Sequence, residues 1–524
     1  MRVEGSRGFL SQLLLRAATL ILLAWLPMLA PPLAFPAGQS GATPSAPLPV
    51  PASLGASSDA KIIQPASTPD LLIVQAPRML SGSLVDRFPQ GSCLARLDPQ
   101  SKSRVDLTPD FFSAADPRIS FDGARVLFAG KKTSQTPWQI WEMNLDGSGQ
   151  RQVTRCADDC LKPAYLPRGE MVFTAVAAAA PGATSQLWVS KLDGSDAHPI
   201  TFGPGDFQVE TVLMNGVILA TARSPLVPGD GRPADRQLYT LRPDGSGLAA
   251  FRCDHQHPAI RSQADELADG SVVFVKRPVT PDGSGGELAW IRRGALHNAP
   301  LTSFQAPVLS PKPLTAEKLV VARDPHAGNR HGEKLALYAF DTAQAKFAGL
   351  IYEDPKLSSV AAVPVAAHEP PRWYWSTLDR ALQTGYFICL DSYMAEGALH
   401  GRLAGTLAKV RVLALEPERG AGASRGSAPA STPGETSLGE APIEKDGSFY
   451  IAIPPDKPVR FELLDEAGQV VRAQRSWIWA RSGEEHGCVG CHEDRALAPE
   501  NRWPLALRRF DTPARLGLAK DRRQ

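Results

Sequence analysis

Close to the C-terminus, the run Cys488-Val489-Gly490-Cys491-His492 sets two thiols three positions apart, with an imidazole directly after the second. Sulfurs at this spacing suit thioether bonds to the two vinyl groups of one haem, while the histidine reaches its iron. The pattern predicts a covalent haem c held by Cys488, Cys491 and His492, with His492 as iron ligand. Two other chemistries use the same atoms. Zinc bound by His486, Cys488, Cys491 and His492 is one, although ligands so crowded rarely close a tetrahedron without a distant partner. A dithiol redox pair is the other, but the flanks lack the strand-then-helix pattern of a thioredoxin unit.

With His492 on the near side of the iron, the far side decides between a closed site for electron transfer and an open one for ligand binding or catalysis. The candidates are His486, His368, His400, His255, His257 and Met394. His486 stands too near Cys488 to wrap easily to the opposite face, so His368 and His400 are the better choices. A histidine or methionine taken singly is more often a hydrogen-bonded or packing residue than a ligand. Trp477 and Trp479, just ahead of the motif, suit either a haem edge or the buried face of a strand. The sequence holds no Ser-His-Asp order, phosphate-cradling glycine loop or zinc-protease signature.

Haem attachment of this kind is carried out outside the cytoplasm, so an export signal is expected, and the N-terminus supplies one. Arg2, Arg7 and Arg16 precede a short apolar run, Ala17 to Ala30, followed by small residues and prolines. Residues 1–35 are read as a signal peptide directing the chain to the periplasm; an uncleaved anchor is the alternative, disfavoured by Pro27 and the shortness of the run. No later segment is long and apolar enough to span a membrane. Residues 36–70 begin as a Pro/Ala/Ser-rich linker, too poor in large apolar side chains to order itself.

The elements that must position the motif are strands. The 524 residues carry 47 prolines and 44 glycines with few long periodic apolar runs, which predicts an all-β chain. A net charge of +2, with both signs interleaved, argues against nucleic acid as a partner. Of the seven cysteines two belong to the motif, and Cys156 and Cys160 are close enough to bridge a turn. Two kinds of hairpin turn recur through the middle. Asp146-Gly147, Asp193-Gly194 and Asp244-Gly245 are 47 and 51 residues apart. Asp122-Gly123, Arg168-Gly169, Asn215-Gly216 and Asp269-Gly270 are spaced by 46, 47 and 54. Interleaved turns at this period are what successive four-stranded propeller blades produce, a strict repeat that an array of β-sandwiches lacks. A six- or seven-bladed β-propeller over 71–365 is therefore expected.

After it comes an aromatic-rich connector and, from Ala408, a new alternation: Val410 and Val412, then Phe449, Ile451 and Ile453, then Phe461 and Leu463, with turns at Asp446-Gly447 and Gly468. Connector and a small β-sandwich are expected over 366–480, and a short haem-binding segment over 481–524.

The blade strings such as IWEMNLDGSGQRQVT resemble those of TolB-like propellers, and the sandwich is similar to carboxypeptidase regulatory-like modules. Taken with Thr384-Gly385-Tyr386 through Tyr393, the K-V-R-V strand, and S-W-x-W leading to G-C-V-G-C-H-E, the chain resembles the hydrazine synthase alpha subunit family. That resemblance implies a propeller followed by c-type haem, and carries over Cys488, Cys491 and His492. It also implies two haems and an iron-binding tyrosine near the motif. Here there is one Cys-x-x-Cys-His, and Glu493, Asp494, Arg495 and Ala496 follow it, so hydrazine synthesis is not expected. Two roles follow: a monohaem protein exchanging electrons with a redox partner or complex subunit, or a propeller binding module with a structural haem.

Overall fold

The computed structural model describes residues 68–518 except 79–82, 178–183, 224–234, 253–258, 280–285, 293–300, 306, 326–333, 395–404, 416–433, 475 and 491–500. The expected signal peptide and nearly all of the linker lie outside the described residues. Among the described residues there is no α-helix, and none of their helices is long and apolar enough to cross a membrane. The all-β expectation holds.

Six four-stranded blades form the propeller among these residues. The chain closes the ring by pairing its last propeller strand, Ser358–Pro364, antiparallel with its first, Leu71–Ala76, which sets Leu72 opposite Val363. This strand completes the blade begun by Leu71–Ala76, Cys93–Leu97 and Arg104–Asp106 and makes the count six. The two turn types fall in equivalent places. Asp122-Gly123, Arg168-Gly169, Asn215-Gly216 and Asp269-Gly270 join first strands to second; Asp146-Gly147, Asp193-Gly194 and Asp244-Gly245 join third to fourth.

The Asp-Gly-Ser sequence explains the second set. The Asp carboxylate accepts the amide two residues on, Ser148, Ser195 or Ser246, at 2.8–3.0 Å, while the glycine takes the left-handed φ the turn requires. Between blades, second strands such as Arg125–Lys131 bury five consecutive residues, as strands covered on both faces do. Phe128, Phe173, Phe274 and Phe340 fill the interblade cores, each under 2% exposed.

The sandwich is two four-stranded sheets. One orders Glu485–Gly490, Gly385–Asp391, Phe449–Ile453 and Ala514–Arg515; the other orders Glu435–Pro442, Lys409–Leu415, Val459–Leu464 and Val470–Ala473. Phe387, Val410, Val412, Phe449, Ile451, Ile453, Phe461 and Leu463 meet between them. Two features differ from expectation. Part of the connector, Gly385–Asp391, is a central strand, and the tail contributes Glu485–Gly490 and Ala514–Arg515 to the same sheet.

The rest of the connector runs over the propeller's first-to-second turns. The His368 amide donates to Phe121 O at 2.9 Å and the Arg372 amide to Met214 O at 3.0 Å. A Cβ at Gly216 would collide with the Arg372 carbonyl, so glycine there serves this crossing as well as the turn. The Arg168 guanidinium lies 4.1 Å from the Trp375 ring centroid, a cation–π contact that holds the connector to the third blade.

Candidate functional site

Cys488 lies on the edge strand Glu485–Gly490, which runs parallel to Gly385–Asp391 with Cys488 in register with Cys389 and His486 with Phe387. Parallel pairing is possible because the chain passes through the whole sandwich between these two strands. Side chains two apart share a face of a strand, and both His486 and Cys488 lean on the sandwich core: the His486 ring sits 5.2 Å from Phe387, and Cys488 packs half-buried against the apolar cluster.

Among the described residues the pairing runs as far as Asp391 and Gly490. A Cβ at Gly490 would strike the Met394 carbonyl, so glycine is what lets the backbone pass there. Residues three apart on an extended strand face opposite sides, so the strand has to end between the two cysteines for both sulfurs to reach one macrocycle. A half-buried thiol on an apolar edge suits one thioether to a haem. Cys491 and His492 themselves lie outside the described residues, as do Glu493 and Asp494.

Glu484 organises the approach to the motif. Its carboxylate accepts from the Arg481 amide at 2.8 Å, from the Gly247 amide of the fourth blade at 2.8 Å, and lies 3.6 Å from His486 Nδ1. Burial pushes its carboxyl upward, but His486 and the two amides outweigh that and hold it below the usual range. On the strand's other side Glu485 bonds to Tyr450, whose hydroxyl is pushed up to about 12 by burial, that carboxylate and Tyr386. Asp391, paired with Gly490, is raised by burial against the opposing pull of the Tyr393 and Met394 amides and Arg502, 3.5 Å away.

The far-side candidates separate. Met394 is brought to the motif, its backbone against Gly490. His486 is brought near too, but engaged by Glu484 and Phe387. His368 is placed on the propeller, its ring 5.4 Å from Phe121 of the second blade. His255, His257 and His400 lie outside the described residues. Trp479 is 1% exposed, inserted between Phe202 and Phe207 at 5.7 and 5.6 Å, and donates to Gly245 O at 3.3 Å. It anchors sandwich to propeller and is buried, though in a segment between strands and not on the face of one. Two of the four residues of the zinc alternative, Cys491 and His492, lie outside the described residues.

Sequence reasoning missed Cys389 and Asp391 as neighbours of the motif. The signal was present in Phe387-Ile388-Cys389-Leu390-Asp391, an apolar run of strand length that the surrounding aromatic residues disguised as connector.

Comparison with known proteins places these features. Residues 405–493, ending one residue past His492, match the family described as the hydrazine synthase alpha subunit middle domain. The chain is 23% identical over 541 residues to the hydrazine synthase subunit alpha of Kuenenia stuttgartiensis, covering 80% of this chain and 65% of that protein. The chain thus spans somewhat less than two thirds of the length of the curated relative it matches. Its fold superimposes on Kuenenia stuttgartiensis hydrazine synthase with a TM-score of 0.73 at 20% identity, over 84% of this chain and 72% of that one. TolB from Acinetobacter baumannii aligns over 56% of this chain and 67% of its own, at 16% identity and a TM-score of 0.41.

Proposed function

We propose, from the resemblance of this chain to the hydrazine synthase alpha subunit family, that it is an exported monohaem c-type protein serving electron transfer or haem-based redox chemistry with a partner. The observation that carries this reading is the position of Cys488, half-buried against the apolar core on a sandwich strand inside the matched domain and directly ahead of the Cys491-His492 pair in the sequence. Cys488 and Cys491 would hold the haem by thioether bonds and His492 would bind its iron. When bound, haem supplies reversible one-electron chemistry.

The chain's own residues set the surroundings. Glu484 fixes the strand relative to the fourth blade, and its bond to His486 keeps that imidazole directed away from a ligand role. Met394 is the far-side candidate best supported by its position. The relative is by name a subunit, which supports a protein partner in a complex. The N-terminal signal pattern supports a periplasmic location. One haem motif and the absence of tyrosine in the four residues after His492 weigh against hydrazine synthesis.

The test is the chain matured with a cytochrome c assembly system. Mass spectrometry is expected to find one porphyrin retained on the peptide spanning Cys488 and Cys491. Sulfurs found as thiols, as a disulfide or around zinc would overturn the proposal. Oxidised and reduced visible spectra indifferent to carbon monoxide support electron transfer, whereas a shift marks an open iron suited to catalysis.

A further inference from the structure

The innermost strands of the six blades are Ser358–Pro364, Ser113–Ile119, Asp159–Leu166, Gln208–Val212, Ala259–Glu266 and Leu309–Pro313. Every one has a pairing irregularity against its neighbour, between Ala115 and Arg118, Leu161 and Ala164, Val209 and Thr211, Ser262 and Asp265, Leu309 and Lys312, and opposite Val74 and Gln75. A bulge re-aims the side chain at its point. Here the bulges bring residues from all six strands to one cavity on the propeller axis, of about 90 Å³. Four bulge residues, Asp116, Lys162, Gln263 and Ser310, hold left-handed φ values between 49° and 56°. Non-glycine residues take that conformation only where the surrounding structure holds them in it.

The result is a ring of charge. Arg87 pairs with Asp116 at 2.8 Å, Lys162 with Glu210 at 2.7 Å and Lys312 with Asp265 at 2.6 Å. Arg118 is a fourth cation, 3.4 Å from the Asp265 carboxylate already paired with Lys312 and bonded to the Glu210 carbonyl. These side chains are 2–22% exposed. Four cations thus face three carboxylates in a space largely shut off from water, where an uncompensated charge is expensive.

We infer that the propeller channel binds a small anion, a carboxylate or oxyanion of a few non-hydrogen atoms, between Arg118, Lys162 and Lys312. The volume sets the size class: about 90 Å³ takes a group of a few non-hydrogen atoms such as formate or acetate. The charge decides the sign, since an anion balances the fourth cation and accepts from ammonium groups whose ion pairs use one donor each. Burial and the nearby Arg118 hold the Lys312 ammonium at about 8, a strain that a bound anion relieves. This inference does not depend on the haem.

The test is thermal unfolding of the full chain in sodium formate, acetate or bromide, at ionic strength held constant with gluconate, together with anomalous diffraction from bromide-soaked crystals. Formate and acetate are expected to raise Tm saturably, with at least tenfold weaker half-saturation in Arg118→Gln, and bromide to appear between Arg118, Lys162 and Lys312. If Arg118→Gln does not fold, Ala361→Leu, which fills the channel and leaves the charges, is expected to abolish the response. A Tm that follows all anions alike, an undiminished response in the variants, or bromide on the outer surface alone would overturn the inference.

Discussion

Glu484 and Gly247, 237 positions apart in the chain, share a hydrogen bond of 2.8 Å that ties the segment leading into Cys488 to the third-to-fourth turn of the fourth blade. Through Arg481 the same segment reaches Asp456 at 2.8 Å and the Phe202 ring. The strand bearing the motif therefore takes its position from the propeller as well as from its own sheet.

Loss of this carboxylate is expected to be felt as pH. The Glu484 carboxyl lies below its ordinary value in the folded chain, so its contribution is present above the unfolded value near 4.3 and disappears as pH falls through the folded one. Glu484→Ala should lower stability by about 2 kcal/mol at neutral pH, the scale of a hydrogen bond to a charged group. Urea unfolding from pH 3 to 7 checks this: the gap between wild type and variant should close in acid. A gap independent of pH would assign Glu484 a packing role.

Trp479→Ala should be costlier. The indole is 1% exposed and lies between Phe202 and Phe207, so truncation leaves a cavity at the junction of sandwich and propeller, worth about 3–5 kcal/mol. Denaturant unfolding measures the loss, and limited proteolysis should find new cuts between the two domains. Unchanged stability would mean the junction is held elsewhere.

How far the sequence could be read differs between the parts. Asp-Gly-Ser turns announced the blades because an Asx bond and a left-handed glycine leave a local signature at Asp146, Asp193 and Asp244. The number of blades had no such trace: Ser358–Pro364 finds its partner strand Leu71–Ala76 some 290 positions back, and nothing in Ser-Ser-Val-Ala-Ala-Val-Pro marks that pairing. The channel ring was hidden in Asp116-Pro117, Lys162-Pro163 and Ser310-Pro311, dipeptides that read as loop and are bulges within strands. At the motif, residue types gave the chemistry of Cys488, but its neighbour Cys389 comes from a strand a hundred residues earlier that only tertiary pairing brings alongside.

Cys156 and Cys160 are expected to form a disulfide in the exported chain. Their Sγ atoms are 3.0 Å apart, and a small side-chain rotation brings them to bonding distance. Peptide mapping without reductant should recover one peptide lighter by two hydrogens. Because the closed loop is short, replacing both with serine should cost only about 2 kcal/mol in the chain-entropy account. Two separately alkylated cysteines would refute the pairing.

Lys312 gives the channel a pH signature of the same sign as that of Glu484, displaced to alkaline solution. Its ammonium faces Asp265, Arg118 and Glu210, and burial with Arg118 lowers it from 10.5 to about 8 in the folded chain. Between these values the unfolded chain binds the extra proton, so the contribution of Lys312 to stability rises with pH, by up to about 1.4 kcal/mol per unit. Lys162, lowered mainly by burial, acts in the same direction, while Tyr165, raised by burial and Glu142, opposes both in more alkaline solution. Lys312→Met isolates the effect: Asp265 keeps Arg118 as its partner, and the stability of wild type relative to the variant should climb from pH 7.5 to 9.5. Saturating formate should flatten the lower part of that climb by favouring the protonated amine. A difference between wild type and variant that stays level across this range would mean that the Lys312 amine is as comfortable in the channel as in water.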